Sequence, residues 1–156
     1  MDLDTLLEEQ VDPDDLKKHE QIFTSQMSQG KPSCQVAFDY AFCLIRSKKS
    51  HVKLGVKLLE ELLSRDEDDM AIRTYLYYLA IGHIKLKNYD KALKYIEVIM
   101  RVEPNNSQAA ELKQVANARM EREGLIGAAY VAGFSVFTGF LLFGAIRSIV
   151  RKFSGH

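Results

Sequence analysis

The stretch YLYYLAIGHIKLKNYDKALKYIEVIMRVEPNN, residues 75–106, decides the fold of this chain. Its apolar residues recur at spacings of three and four, which is the period of an amphipathic helix, and no part of it alternates as a strand would. Asn88 before Tyr89 marks a helix start, and Pro104 marks a stop. The stretch therefore predicts two helices, over 70–86 and 89–102, joined by a short turn.

An earlier segment has the same pattern, displaced by 37 residues, so that Gly55 aligns with Ala92. A period of this length is typical of stacked helical hairpins, in which small residues recur where two helices touch. In the second copy the pair Leu79–Ala80 stands where the tetratricopeptide pattern has Leu-Gly. The sequence therefore predicts two tetratricopeptide-like repeats, at about 34–66 and 71–104.

Two such repeats expose an apolar face at each end of the stack, and solenoids need capping elements there. Helices predicted over 13–29 and 106–123 supply them, and the first repeat contributes helices over 34–47 and 51–64. We predict an all-α protein with a cytosolic domain at 13–123, a six-helix tetratricopeptide-like superhelical bundle.

A membrane anchor is predicted after this domain. Residues 124–146 contain no charged side chain. As a helix, this length spans the roughly 30 Å hydrocarbon core of a bilayer, whereas an uncharged run in a buried core helix rarely exceeds about 14 residues. We predict a single C-terminal transmembrane helix. Its small-xxx-small pairs also allow a homo-oligomer.

Only ten residues, 147–156, follow the predicted span, and they form a short basic tail. This order indicates a tail-anchored protein with its domain in the cytosol. A short basic tail is typical of anchors in the mitochondrial outer membrane and in peroxisomes. The candidate targeting residues are Arg147, Arg151 and Lys152.

Composition and motifs argue against several function classes. The chain has 21 basic and 21 acidic residues and no basic face, so no nucleic-acid partner is predicted. Cys34 and Cys43 have no metal-ligand spacing, and the four histidines are scattered. No nucleophile motif or phosphate loop occurs. We predict no catalytic residue, no metal and no cofactor, and therefore not an enzyme.

The predicted binding site is a concave groove. In stacked hairpins the first helix of each pair lines the concave face, and an apolar, aromatic face suits an amphipathic helix or an apolar peptide. The alternative, that several of these residues are packed core, stays open. The candidate groove residues are Tyr40, Leu44, Thr74, Tyr77, Ile81, Ile84 and Lys85.

The N-terminal segment 1–12 is predicted to be a flexible acidic arm. Seven acids and no base lie within residues 1–16. Leu3, Leu6 and Leu7 form a short apolar stripe, with which the arm could fold over the groove and compete with partners. A frayed terminus is the alternative, and the sequence does not choose between them.

Together, three segments resemble the mitochondrial fission protein family. They are FDYAFCLIRSKKSHVKLGVKLLEELL (38–63), YLYYLAIGHIKLKNYDKALKYIEVIMRVEPNNSQAAELK (75–113) and REGLIGAAYVAG (122–133). The resemblance implies a tail-anchored adaptor on the mitochondrial outer membrane and on peroxisomes. Such an adaptor recruits a dynamin-related GTPase, directly or through adaptor proteins. The alternative is a tail-anchored receptor for protein import, chaperone docking or organelle quality control.

Overall fold

A computed structural model describes residues 3–124 of the chain, and this part contains seven α-helices and no strand. The helices are α1 (Leu3–Glu8), α2 (Pro13–Gln29), α3 (Cys34–Ile45), α4 (Lys49–Arg65), α5 (Asp69–Lys85), α6 (Tyr89–Val102) and α7 (Ser107–Arg122). The prediction of an all-helical domain is thus confirmed for these residues.

Helices α2 to α7 lie where the sequence predicts helices, and their ends differ from the predicted ones by at most two residues. Local caps explain this agreement. The side chains of Asp12, Ser33 and Asn106 accept hydrogen bonds from backbone N–H groups in the first turns of α2, α3 and α7. These bonds satisfy N–H groups that have no partner inside the helix.

Residues 13–123 contain the six predicted helices, and a seventh helix, α1, forms within segment 1–12, which was predicted to be a flexible arm. This helix has only six residues, too few to be stable alone in water. Leu3, Leu6 and Leu7 are buried in the core, so tertiary packing rather than local propensity holds α1 in place.

The helices stack as antiparallel hairpins. The closest helix pairs are α3 with α4, α4 with α5, and α5 with α6, while α2 and α7 pack on the two ends. Helix α5 also contacts α3 and α7, so these three helices form one layer. This layer contains the first helix of each repeat, α3 and α5, which is where the sequence predicts the concave side. We call it the concave layer, and it positions the candidate groove.

Two glycines allow helices to approach closely. A Cβ atom on Gly55 of α4 would lie 3.0 Å from the Cβ of Leu44 and 3.1 Å from the carbonyl oxygen of Ala41, both on α3. A Cβ atom on Gly82 of α5 would lie 2.7 Å from Val56 Cγ2. The small residue predicted at the helix contact of the first repeat, Gly55, thus lies where α3 and α4 are tightly packed.

The predicted transmembrane helix lies outside the described residues, apart from Gly124. So do Arg147, Arg151 and Lys152, the candidate targeting residues. Within residues 3–124, no helix is both long enough and apolar enough to cross a membrane.

Candidate partner-binding groove

Four half-buried aromatic side chains form a continuous surface on the concave layer, here called the aromatic strip. Phe38 and Phe42 lie one turn apart on α3, and Tyr77 and Tyr78 lie on α5. The ring of Tyr78 is 5.9 Å from that of Phe38, 5.0 Å from that of Phe42 and 5.6 Å from that of Tyr77. Edge-to-face contacts of this kind favour fixed ring positions. The strip therefore offers a preformed apolar surface.

An open cavity of about 360 Å³ continues from the strip towards α7. Thr74, Tyr77 and Tyr78 line it from α5, and Gln108 lines it from α7. Met70 also lines it, and 71% of this residue is exposed. We call this cavity and the aromatic strip together the concave groove.

Charged and polar residues form the rim of the concave groove. Arg73 is paired with Glu103, and the side-chain amide of Asn106 donates a hydrogen bond of 2.7 Å to the same carboxylate. These bonds hold the pKa of Glu103 below its usual value. The rim thus stays charged near neutral pH, whereas the floor is apolar.

The phenols of Tyr77 and Tyr78 remain neutral at physiological pH, because burial raises the pKa of each. A neutral phenol can donate a hydrogen bond as well as present an apolar ring. The floor of the groove can therefore hold the apolar face of a helix and bond one of its polar groups.

Four of the predicted groove residues do not face this open surface. Leu44, Ile81 and Ile84 are each only 1% exposed, and Tyr40 is 6% exposed. By contrast Thr74 is exposed and Tyr77 is partly exposed, and both line the cavity. Lys85 is partly exposed but lines a different cavity, at the other end of α5. The expectation that all seven line an open groove is corrected accordingly: Tyr40 and Leu44 pack on α2 and α4, whereas Ile81 and Ile84 share a buried cluster with the leucines of α1.

Contacts with neighbouring helices explain the burial on α3. The ring of Tyr40 lies 5.0 Å from that of Phe23, and its hydroxyl donates a hydrogen bond of 3.5 Å to Glu20, so Tyr40 belongs to the contact between α2 and α3. Leu44 lies against Gly55 of α4. The stripe of α3 that contains Tyr40 and Leu44 packs on other helices.

Sequence reasoning missed Phe38 and Phe42. The available signal was an aromatic pair spaced by four on the first helix of a repeat, since such residues share one face. Tyr78, the neighbour of the predicted Tyr77, also lies in the groove.

Helix α1 lies at the end of the concave layer at which α3, α5 and α7 terminate. The backbone N–H of Val11 donates a hydrogen bond of 2.6 Å to the carbonyl of Arg46, whose guanidinium lies 2.5 Å from Glu9. Arg119 of α7 pairs with Asp4 at 3.4 Å and Glu8 at 3.0 Å. Two arginines from different helices thus tether the acidic segment.

The leucines of α1 cover part of the concave layer. Leu3, Leu6 and Leu7 belong to the same buried cluster as Ile81 and Ile84. Leu7 and Ile84 also line one cavity. The N-terminal segment thus lies folded on the layer rather than frayed.

No metal site appears in the part of the chain that the structure covers: residues 3–124 contain no group of three or more His, Cys, Asp or Glu side chains placed to hold an ion. The groove itself presents rings, a thioether and hydroxyls. Its chemistry is that of a binding surface.

Comparisons with known proteins identify the family. Two family models match, the Fis1 N-terminal tetratricopeptide repeat over residues 35–66 and the Fis1 C-terminal tetratricopeptide repeat over residues 73–125. The mitochondrial fission 1 protein of Homo sapiens is 40% identical over 135 residues, which are 86% of this chain and 88% of that protein. The chain belongs to the Fis1 family. The FIS1-related protein fis-2 of Caenorhabditis elegans is 42% identical over 153 residues, covering 97% of this chain and all of that protein.

Solved Fis1 structures have the same fold. Yeast Fis1 in complex with an Mdv1 fragment that contains the N-terminal extension and coiled-coil domains superposes with a TM-score of 0.67 at 32% identity, covering 76% of this chain and 92% of that one. The crystal structure of the fission protein Fis1 from Saccharomyces cerevisiae superposes with a TM-score of 0.67 at 31% identity. The match covers 76% of this chain and 90% of that one. The predicted resemblance and the tetratricopeptide-like fold are confirmed.

Proposed function

We propose that this chain is an adaptor of mitochondrial fission that presents its concave groove to a helical segment of a partner protein. The observation that carries the proposal is the aromatic strip, four half-buried rings that the fold leaves accessible between α3 and α5. Membership of the Fis1 family and the complex of yeast Fis1 with an Mdv1 fragment support it.

The partner is proposed to be a dynamin-related GTPase or an adaptor protein that carries it. A segment that fits the groove needs an apolar face, which buries the rings and Met70, and a polar face towards the charged rim. An amphipathic helix has both. The same recruitment is proposed at peroxisomes.

Recruitment is tested with the double variant Tyr77→Ala/Tyr78→Ala. This variant removes two of the four rings of the aromatic strip. Ile81 is not replaced, because it is buried and its loss would destabilise the domain itself. We expect the dynamin-related GTPase to leave mitochondria and the network to elongate, scored by fluorescence microscopy. The matched control is Ile22→Ala/Met27→Ala, two exposed apolar residues of α2. A folded Tyr77→Ala/Tyr78→Ala protein that still recruits the GTPase fully overturns the groove assignment.

Residues 124–146 are proposed as the anchor, with the domain in the cytosol and the basic tail as the targeting element. A fluorescent protein fused to the N-terminus is compared with and without residues 124–156. The full chain is expected on mitochondria and peroxisomes, and the truncated chain throughout the cytosol. Localisation of the full chain to the endoplasmic reticulum contradicts the outer-membrane assignment.

Helix α1 is proposed to regulate the groove by occupying the concave layer. It is held by charge pairs on Arg46 and Arg119, which are partly exposed and therefore individually weak. A partner that binds more of the layer can displace it. Regulation of this kind predicts tighter partner binding when residues 1–10 are deleted.

A further inference from the structure

A second cavity, of about 260 Å³, lies where α1, the start of α4 and the ends of α5 and α7 meet. We call it the lysine cavity, because cations dominate its lining. The cationic residues that line it are Lys48, Lys49, Lys85, Lys87 and Arg119. Of the residues that the structure describes, two acids, Glu8 and Glu123, line it with them.

Both of these acids are already paired. Glu8 accepts a hydrogen bond of 3.0 Å from the guanidinium of Arg119. Glu123 lies 3.2 Å from the ammonium of Lys87. Among residues 3–124, no carboxylate lies within ion-pair distance of the three remaining lysines, Lys48, Lys49 and Lys85. The described lining of the cavity therefore carries more positive than negative charge, and Glu9, which acts on Lys85 from outside the lining, is itself paired with Arg46.

Lys85 is the deepest of these lysines. Its Nζ atom is buried and has no hydrogen-bond acceptor in the described structure. Burial lowers the pKa of Lys85, although Glu8 and Glu9 act in the opposite direction. An ammonium without a partner away from water is costly, and a bound anion would supply the missing acceptor.

The start of α4 borders the same cavity. Lys48 is its N-cap residue and Lys49 its first residue, and no side chain caps its free N–H groups. An uncapped helix start carries partial positive charge and N–H donors suited to an anion. A helix start and a buried ammonium on another helix thus lie at one cavity.

We propose that the lysine cavity binds a phosphate group. A phosphomonoester carries close to two negative charges and three acceptor oxygens, which suits several lysines and helix N–H groups better than a single carboxylate does. The group has two possible sources. It is a free phosphate compound or the headgroup of an anionic lipid, since the predicted span begins directly after Glu123.

The test uses the full chain in phosphatidylcholine nanodiscs and follows the side-chain NMR signals of its lysines. The first probe is inorganic phosphate at constant ionic strength, with chloride as the reference anion. The second is phosphatidic acid added to the nanodiscs without free phosphate. Lys48→Gln/Lys49→Gln removes two exposed lysines of the cavity without disturbing the core. Lys53→Gln/Lys57→Gln is the matched control, with the same charge change on the exposed face of α4.

A saturable shift of the Lys85 signal with phosphate but not with chloride is expected. The cavity variant should weaken this binding at least tenfold, and the control less than twofold. If phosphatidic acid gives the same variant-sensitive shift, the lipid headgroup is the source; if only inorganic phosphate does, the ligand is soluble. The proposal is overturned if neither probe moves Lys85, or if both variants weaken binding equally.

Discussion

His83 is a buried histidine whose ring nitrogens have no hydrogen-bond partner among the described residues. The residue is 3% exposed, and neither ring nitrogen has a hydrogen bond in the structure. Its ring stacks on that of Tyr95 with centroids 5.6 Å apart, and its Nε2 lies 3.9 Å from a Glu60 oxygen. Burial, and secondarily the charge of Lys91, lower the pKa of His83 to about 4. The imidazole is therefore neutral and packs as a ring.

This environment predicts a pH-dependent stability. Because the folded pKa of His83 is about 4 and that of an unfolded histidine is about 6.5, the unfolded state binds the extra proton. The stabilisation is fully present above pH ~6.5 and is lost as the pH falls towards 4. The cost is at most roughly 3 kcal/mol, since each pKa unit corresponds to 1.36 kcal/mol. Urea unfolding of the protein at several pH values measures it.

The variant His83→Asn separates this effect from other acid-sensitive groups. Glu60 faces His83 and has a raised pKa from burial, so its protonation acts in the opposite direction over this range. The variant should flatten the loss of stability between pH 6.5 and 4, whereas His19→Asn on α2 should leave it unchanged. An unaltered pH profile in His83→Asn means that another group is responsible.

Gly82 provides a test of close packing between α4 and α5. The added methyl of Gly82→Ala would lie 2.7 Å from Val56 Cγ2 and 2.8 Å from Ile45 Cδ1. Overpacking typically costs about 1–3 kcal/mol, and alanine recovers up to about 1 kcal/mol of helix propensity. We expect a net loss of about 1 kcal/mol in the free energy of unfolding, measured with urea. Lys53→Ala, on the exposed face of α4, should change stability by less than half of that.

At the scale of elements, the sequence predicted α2 to α7 because periodicity, caps and breakers are local signals. Helix α1 could not be predicted in this way, since six residues give too short a pattern and its stability comes from burial of its leucines. The groove was predicted only in part for a related reason. Packing decides which face of α3 meets which neighbouring helix. Tyr40, predicted for the groove, is therefore buried against α2, and Phe42, which was not predicted, lies in the groove.

The tether of α1 can be loosened by substitutions at its two arginines, of which Arg46 also stacks on the ring of Phe42. Arg46→Gln/Arg119→Gln removes the guanidinium partners of Asp4, Glu8 and Glu9. Partly exposed ion pairs contribute about 0.2–1 kcal/mol each. We therefore expect amide hydrogen exchange in α1 to accelerate roughly two- to tenfold, while exchange in α5 stays constant. Added salt should reduce the difference between wild type and variant, because it screens the same pairs.

Arg101→Gln is the control for the loss of an arginine charge, because Arg101 is exposed on α6. It removes one positive charge, and the double variant removes two. Arg101→Gln should leave exchange in α1 unchanged. Equal protection of α1 in the wild type and the double variant would show that the leucines alone hold the helix. In that case the proposed regulation would depend on apolar packing rather than on charge.

At the scale of the whole molecule, the two cavities lie at opposite ends of the concave layer. Met70 and Thr74, at the start of α5, line the groove cavity, whereas Lys85 at its end lines the lysine cavity. Glu123 follows α7 directly and also lines the lysine cavity. A membrane span starting at residue 124 would therefore place the lysine cavity and α1 nearest the bilayer. The partner groove would then open towards the cytosol.

The predicted anchor is tested by introducing one charged residue into residues 124–146. Phe137 lies near the middle of the predicted span, and an aspartate at the centre of a transmembrane helix costs about 3 kcal/mol in insertion. Phe137→Asp should shift the full chain from the alkali-resistant membrane fraction to the soluble fraction. Phe153→Asp makes the same substitution in the basic tail, beyond the span, and should stay in the membrane fraction. If both variants resist alkaline extraction equally, residues 124–146 are not what holds the chain in the membrane. Such a result would also remove the reason for placing the lysine cavity near lipid, while a soluble phosphate ligand would remain possible.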